Sequence, residues 1–94
     1  MKLSAELRST HGQDGAIALD LRAGRMFRLN FVGSRILELI RSERTEAQIV
    51  ETIATEFSVS TGRAAADVCE FLAQLERHHL LTPDNEPETN RSSR

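Results

Sequence analysis

The sequence is poor in the residues on which most enzymes and disulfide-stabilised domains depend. Its 94 residues include one Cys, three His, two Pro and five Gly, and neither Trp nor Tyr occurs. A lone Cys69 cannot form an internal disulfide, and so few glycines exclude a fibrous protein. A chain of this length forms one domain that buries only about 60% of its unfolded surface. The composition therefore predicts a single small domain with few groups available for chemistry.

Long apolar runs and a strong net charge are also absent. No segment reaches the length of a membrane span, which is about 20 apolar residues, and the first residues lack the apolar run of a signal peptide. We therefore expect a cytoplasmic protein with no membrane partner. The 12 Lys and Arg oppose 14 Asp and Glu, a net charge of −2. This balance argues against a protein that neutralises phosphates over its whole surface.

The first third of the chain alternates apolar and polar residues, which is typical of half-buried strands. The alternation predicts a first strand over residues 2–8, a turn over 9–15, a second strand with Ile17, Leu19 and Leu21 on one face, and a third strand over 25–29. Gly24 lies in the second turn and is the residue expected at positive φ. The chain thus begins as a three-stranded meander.

Beyond Asn30 the spacing of apolar residues becomes helical. Asn30 is a favourable N-cap for a first helix that ends near Arg41. Thr45 and Gln48 match the Thr-x-x-Gln pattern of a capping box, which begins a second helix. A third helix is predicted over residues 61–80, ended by the segment that contains Pro83.

The predicted order of elements defines the fold class. A three-stranded antiparallel sheet followed by three helices is an α+β, winged helix-turn-helix-like arrangement. We expect it to occupy residues 1–81. Residues 82–94 contain no apolar side chain and are expected to form a disordered polar tail.

No group of residues in the sequence forms a recognisable catalytic or metal-binding motif. Cys69 lies at the edge of the apolar stripe of the third helix and is interpreted as a small, partly buried hydrophobe rather than a reactive thiol. His78 and His79 are adjacent, so a helix directs them about 100° apart and they cannot bind one metal ion together. We therefore expect a non-catalytic protein without a cofactor or a metal, in which Cys69 is the only candidate nucleophile.

Charge is unevenly distributed along the chain. Residues 20–44 carry a net charge of +3, and residues 45–81 carry −4. A winged-helix protein that binds DNA places basic or amide side chains near the start of its third helix, whereas this helix begins with Arg63, three Ala and Asp67. We therefore expect no nucleic-acid partner, and a DNA-binding regulator is kept as the alternative. The Arg-rich part is also compatible with an ordinary solvated face.

The third strand is the candidate binding element. The last strand of a meander is an edge strand, whose unpaired N–H and C=O groups can pair with another chain. Arg25 and Arg28 are compatible with two interpretations: they discourage such pairing, or they hold acidic side chains of an extended peptide that adds a strand. The residues alone leave both interpretations open.

Two segments of the chain carry a resemblance to a known family. The first is the run Asp20-Leu21-Arg22-Ala23-Gly24-Arg25-Met26-Phe27-Arg28-Leu29-Asn30 with Gly33 three residues on, and the second comprises Asp67-Val68, Phe71-Leu72 and a closing Leu80-Leu81. On these residues the chain resembles the PqqD-like family over about residues 3–81. Members of this family are recognition domains for ribosomally made peptides that are modified after synthesis.

The resemblance implies a winged-helix-like domain that binds the leader of a precursor peptide and delivers it to a separate enzyme. In such domains the leader pairs antiparallel with the third strand and lies in a groove against the third helix. The peptide-binding residues carried over to this sequence are Arg25, Met26, Phe27, Arg28, Leu29, Ala64, Asp67, Val68 and Phe71. For Asp67, the alternatives are a bond to the leader, a pair with an Arg of the strand, or an exposed carboxylate.

Within the family, the short chain and the hairpin Leu19-Asp20-Leu21-Arg22-Ala23-Gly24-Arg25 look most similar to the leader-binding subunit of split lasso-peptide proteases. This implies two partners, the precursor leader peptide and a separate leader peptidase or other modifying enzyme. A peptide chaperone for a radical SAM maturase is the alternative. The chain departs from the family pattern at Met26 and Leu37, where aromatic residues are common, and at His78-His79, where many members have a Gly.

Overall fold

The computed structural model, which describes residues 1–12 and 15–82, passes from a sheet into three helices. The strands are β1 (Lys2–Leu3), β2 (Leu7–Gly12), β3 (Gly15–Asp20), β4 (Arg25–Leu29) and β5 (Leu81–Thr82), and the helices are α1 (Phe31–Arg41), α2 (Glu46–Glu56) and α3 (Thr61–Arg77). Strands β2, β3 and β4 form the antiparallel meander. The predicted α+β class is confirmed, whereas all but Thr82 of the predicted tail lies outside the described residues.

The N-terminal strands differ from the prediction. The segment predicted as one strand is divided: Lys2–Leu3 pairs with Leu81–Thr82 in a separate two-stranded sheet, and the first strand of the meander begins only at Leu7. Most of the predicted turn over 9–15 is strand, and Gly12 pairs with Gly15. The polar residues of this segment are compatible with a strand because β2 is an edge strand that faces water. A Cβ atom at Gly15 would clash with the backbone carbonyl of Leu29.

Burial of the two faces of β3 is the reverse of what the size of their side chains suggests. Ala16, Ala18 and Asp20 are buried, whereas Ile17 and Leu19 are more than one third exposed. Helix α1 packs against the buried face, and small side chains there let a helix approach the sheet closely. The larger side chains therefore point away from the helices.

The predicted helix starts are confirmed by their caps. The Asn30 side chain accepts a bond of 2.8 Å from the N–H of Gly33, and Thr45 and Gln48 form the complete capping box. These bonds satisfy backbone donors that the first turn of a helix leaves unpaired. Gly24 has a φ of +68°, as expected for its turn. No helix among residues 1–12 and 15–82 is long and apolar enough to span a membrane.

Helix α3 ends at Arg77, earlier than predicted, because the chain turns back towards the core. His79 adopts a φ of +60°, and the N–H of Leu80 donates to the carbonyl of Leu75 over 2.8 Å. Leu80 and Leu81 are buried, and Leu81 pairs with Leu3. Burial of two leucines and a strand pairing outweigh another helical turn, which would have kept both side chains in water.

The core lies between the helices and the inner face of the meander. Its largest fully buried side chains are Leu7, Ile36, Leu37, Ile49, Ile53, Val68 and Asp20. At the surface, Arg35 of α1 donates two hydrogen bonds, of 2.9 and 2.8 Å, to the carboxylate of Glu56. This bidentate contact links α1 to α2 and lowers the pKa of Glu56. Asp20 is the one ionisable side chain in the buried set.

The burial of Leu80 can be tested against an exposed leucine. We expect Leu80→Ala to lower the free energy of unfolding by about 2–5 kcal/mol, because it opens a cavity in the core. Leu21→Ala, at a side chain that is 53% exposed, is expected to cost less than about 1 kcal/mol. Urea denaturation followed by circular dichroism measures both, and equal losses would contradict the described packing.

Candidate functional site

A groove of about 300 Å³ runs between β4 and the C-terminal half of α3. One wall is the strand segment 26–29 of β4, the other is formed by Phe71, Gln74, Leu75 and His78 on the side of α3, and the floor consists of Leu7, Ala18, Leu37 and Leu80. The floor residues are all buried apolar side chains. The groove therefore offers an apolar bottom with room for one or two large side chains.

The α3 wall includes residues that the sequence analysis did not assign to the site. Gln74, Leu75 and His78 follow Phe71 at intervals of three, four and seven residues, which place them on one side of the helix. The same spacing, continued from Phe71 towards the end of the helix, was the signal that could have identified them. His78, whose role the sequence did not indicate, stands at one end of the groove.

Two of the predicted helix residues do not line the groove. Ala64 and Val68 are 0% exposed and belong to the core cluster where α3 packs on α2. They share a stripe of α3 that points into the protein, so the prediction that they form the groove wall is corrected. Of the predicted helix residues, Phe71 is the one in the groove.

Asp67 lies about one turn before Phe71 on α3, near Asn30, which follows the end of β4. Its carboxylate is 4.0 Å from the guanidinium of Arg63 on the same helix, and both line a second, more open depression with Asn30 and Gly33. The pairing of Asp67 with an Arg of the strand is therefore not found. β4 runs past the C-terminal half of α3, with Arg25 beside His78, so Asp67 is on the far side of Phe71 from the strand's start.

Strand β4 forms one edge of the meander, whose order is β2-β3-β4. The N–H of Leu21 donates to the carbonyl of Glu6 over 3.0 Å, so the odd-numbered residues of β3 direct their backbone polar groups towards β2. The even-numbered ones, paired with Arg25, Phe27 and Leu29, direct theirs towards β4. Because the two sides alternate along an antiparallel strand, the N–H and C=O groups of Met26 and Arg28 point to the free edge.

The side chains of β4 alternate between the two faces of the sheet. Phe27 and Leu29 are half-buried and face the groove, whereas Met26, at 67% exposure, and Arg28 face away from it. An extended chain that paired with the free edge would alternate in the same way. Every second side chain of that chain would enter the groove.

A polar network closes one end of the groove. Arg25 donates to the carboxylate of Asp20 over 3.4 Å and to Nδ1 of His78 over 3.0 Å. The Arg25 guanidinium also lies 5.6 Å from the centre of the Phe27 ring, and the rings of Phe27 and His78 are 5.0 Å apart. The network ties the hairpin between β3 and β4 to the end of α3, which sets the separation of the two groove walls.

Asp20 keeps its negative charge in this network although its side chain is buried. Burial alone would raise the pKa of the Asp20 carboxyl. The N–H groups of Ala23 and Arg22 and the guanidinium of Arg25 together outweigh that effect, so the pKa of Asp20 lies below its usual value. Asp20 is therefore an anion at neutral pH and a strong acceptor for Arg25.

Cys69 is exposed, which corrects its interpretation as a partly buried hydrophobe. It lies about 100° around the helix from the buried Val68, and that rotation is enough to bring it out of the packed stripe. Among the described residues, no three His, Cys, Asp or Glu side chains are grouped as a metal site.

The fold and the groove together define a winged-helix-like domain with a free edge strand beside an apolar channel. Comparison with known proteins assigns such a domain to a family. The family described as coenzyme PQQ synthesis protein D (PqqD) matches residues 15–81, and the chain belongs to this family. The resemblance inferred from the hairpin and from α3 is therefore confirmed.

Two solved structures are similar to this chain. The structure described as TbiB1 in complex with the TbiA(beta) leader peptide is 34% identical, covers 92% of this chain and 100% of its own, and has a TM-score of 0.81. A lasso peptide synthetase B1 complexed with the leader peptide is 21% identical, covers 87% of this chain and 96% of its own, and has a TM-score of 0.77. The second likeness shows the fold alone. Among curated proteins, none matches the chain.

The lowered pKa of Asp20 predicts how the free energy of unfolding depends on pH in the acid range. A carboxyl whose pKa is lowered in the folded state stabilises it above the unfolded pKa of about 4, and this stabilisation is lost as the pH falls through the lowered folded pKa. We expect Asp20→Asn to be less stable than the wild type at pH 7 and to depend less on pH below about pH 4. Urea midpoints across a pH series measure both effects. Asp67→Asn, at a half-exposed carboxylate, is the control, and the same pH response in both variants would contradict the prediction.

Proposed function

We propose that this chain binds the leader segment of a ribosomally synthesised precursor peptide as an additional strand on β4 and delivers it to a separate processing enzyme. We propose that this enzyme is the leader peptidase of a lasso-peptide pathway. The observation that carries the proposal is the position of the free backbone groups of Met26 and Arg28 along the rim of an apolar groove. A relative that is 34% identical to this chain is described as a leader-peptide complex, which supports the same role.

The free edge of β4 and the groove contribute differently to the free energy of leader binding. Met26 and Arg28 offer four backbone groups, and bonds to them contribute about 1 kcal/mol each. A micromolar complex needs about 8 kcal/mol, so the backbone bonds provide only about half of it before any cost of ordering the peptide. The remainder must come from side chains buried in the groove, each contributing about 2 kcal/mol. Affinity and specificity therefore depend on the leader side chains that enter the groove.

Antiparallel pairing, which the family resemblance implies, gives the bound leader a direction. It would run from the Leu29 end of β4 towards the Arg25 end. Its N-terminal part would then lie near the depression that contains Asn30, Arg63 and Asp67, which is where we propose that Asp67 contributes. The segment to be processed would leave past Arg25 and His78. An enzyme that acts beyond the leader would approach from that end.

We propose no catalytic role for this chain. Cys69, the one candidate nucleophile, is on the exposed side of α3 and does not line the groove. Cys69→Ser is therefore expected to support leader cleavage at the wild-type rate when it is combined with the peptidase.

A proline at the free edge tests whether the leader pairs with the backbone of β4. Met26→Pro removes an N–H that points away from β3, so the sheet stays paired while one bond to the leader is lost and the ring obstructs its approach. We expect the affinity for a synthetic peptide of the cognate leader, measured by fluorescence anisotropy, to fall at least about tenfold.

Ser9→Pro is the matched control for this experiment. Ser9 lies on β2, at the opposite edge of the sheet, and its N–H also points away from β3 according to the same ladder. It is expected to keep the wild-type affinity. Leader binding that survives Met26→Pro in a folded variant, or that is lost equally in Ser9→Pro, would refute pairing on β4.

A pair of phenylalanines tests the groove. Phe71 is half-buried in the α3 wall, whereas Phe31 at the start of α1 is exposed and off the groove. Phe71→Ala is expected to weaken binding of the same leader peptide by about tenfold or more, because it removes the contact surface of a buried leader side chain. Phe31→Ala is expected to leave it unchanged. Equal affinities for the two variants would show that the leader does not use the groove.

A further inference from the structure

The end of the groove at Arg25 and His78 combines a positive charge with hydrogen-bond donors. The Arg25 side chain is 43% exposed, although it contacts both Asp20 and His78. A guanidinium carries five N–H groups and accepts no bond, and two of the five are used in these contacts. The other N–H groups of Arg25 therefore have no partner among residues 1–12 and 15–82.

His78 adds a further donor at the same end of the groove. Because an arginine only donates, Nδ1 of His78 is the acceptor in its 3.0 Å contact with Arg25. The neutral ring then carries its proton on Nε2, and the part of the chain that the structure describes offers that N–H no acceptor. His78 is half-buried and lines the groove. The two side chains together thus present several free donors to a peptide that leaves the groove here.

Among the described residues, no carboxylate lines the groove. Asp20, which neutralises part of the charge of Arg25, has a side chain that is 0% exposed and accepts a bond from the N–H of Ala23 in its own turn. On α3, Glu70 and Glu76 are exposed and lie outside the groove lining. A carboxylate of a bound peptide would therefore meet donors at this end without meeting another anion at the groove surface.

The pairing pattern of β4 decides which residue of a leader would reach these donors. Residues that stand directly opposite each other in neighbouring strands have their side chains on the same face of the sheet. Arg25, Phe27 and Leu29 share one face of β4. An antiparallel leader would therefore place its residues i, i+2 and i+4 opposite Leu29, Phe27 and Arg25. The first two side chains would lie over the apolar floor, and the third would reach Arg25 and His78.

We propose that Arg25 and His78 bind an Asp or Glu side chain of the leader, so that this chain selects leaders with apolar residues at i and i+2 and an acidic residue at i+4. The inference rests on the proposed function and names the class of leader. The backbone groups of Arg25 pair with β3, so the leader residue opposite it would belong to a non-hydrogen-bonded pair, in which side chains approach most closely. Arg25 would keep its contact with Asp20, and its free N–H groups would hold the carboxylate.

Substituted leader peptides test this selection directly. The synthetic cognate leader is made with Glu and with Gln in turn at each position, and the affinities are measured by fluorescence anisotropy. We expect one position at which Glu binds at least about fivefold more tightly than Gln, because a charge-assisted hydrogen bond is stronger than a neutral one. Two residues before that position, Glu is expected to bind more weakly than Gln, because its carboxylate would lie over the apolar floor.

Variants of this chain identify the donors. Arg25→Gln is expected to remove the preference for Glu over Gln. His78→Phe keeps a ring against Phe27 without a ring nitrogen, and is expected to at least halve the preference while the Gln peptide binds within about twofold of the wild-type affinity. Arg77→Gln, which removes an equal charge from an exposed position of α3 outside the groove lining, is the control and is expected to keep the preference.

The possible outcomes separate this inference from the proposed function. A wild-type chain that binds the leader but prefers Glu over Gln at no position would overturn the inference and leave leader binding intact. A preference that stays unchanged in His78→Phe, the variant that keeps the pair of Asp20 and Arg25, would also overturn it, as would a preference that Arg77→Gln removes equally. Failure of the wild type to bind any of the peptides would instead refute the proposed function.

Discussion

The site depends on a strand that is hydrogen-bonded on one side only. β4 pairs with β3 through Arg25, Phe27 and Leu29, and its remaining backbone groups, those of Met26 and Arg28, are directed to the free edge. Unpaired backbone groups at a sheet edge are able to pair with an extended chain of another molecule. The rest of the structure limits which chains can do so, because α3 forms a wall beside the strand and leaves a channel for the side chains of the added strand.

The two arginines of β4 have different tasks, which the sequence alone could not separate. Arg25 is held by Asp20 and His78 and covers the Phe27 ring, so it contributes to the shape of the groove. Arg28 points to the other face of the sheet, and no ion pair links it to another of the described residues. A free cation beside an open edge both discourages pairing with neutral strands and favours acidic partners.

The meander separates two surfaces with different properties. Its inner face carries small side chains under α1, and the groove beside it has an apolar floor. Its outer face carries the larger side chains of β3 with an arginine on each side. A strand has only two faces, so the size of Ala16 and Ala18 on one face and of Ile17 and Leu19 on the other sets how closely each neighbour can approach. A domain of this size thereby holds two surfaces of different character back to back.

The sequence by itself determined that a three-stranded meander precedes three helices, the caps of the first two helices, the turn at Gly24 and the family. These properties depend on residues a few positions apart: Asn30 with Gly33, Thr45 with Gln48, and the periods of apolar residues. Tertiary structure alone decided three others, namely which face of β3 is buried, that Leu3 pairs with Leu81, and that the groove uses Leu75 and His78 instead of Ala64 and Val68. Alternation shows that a strand has two faces but not which of them a helix will cover. That choice, like the position of β4 along α3, depends on contacts between residues that are far apart in the chain.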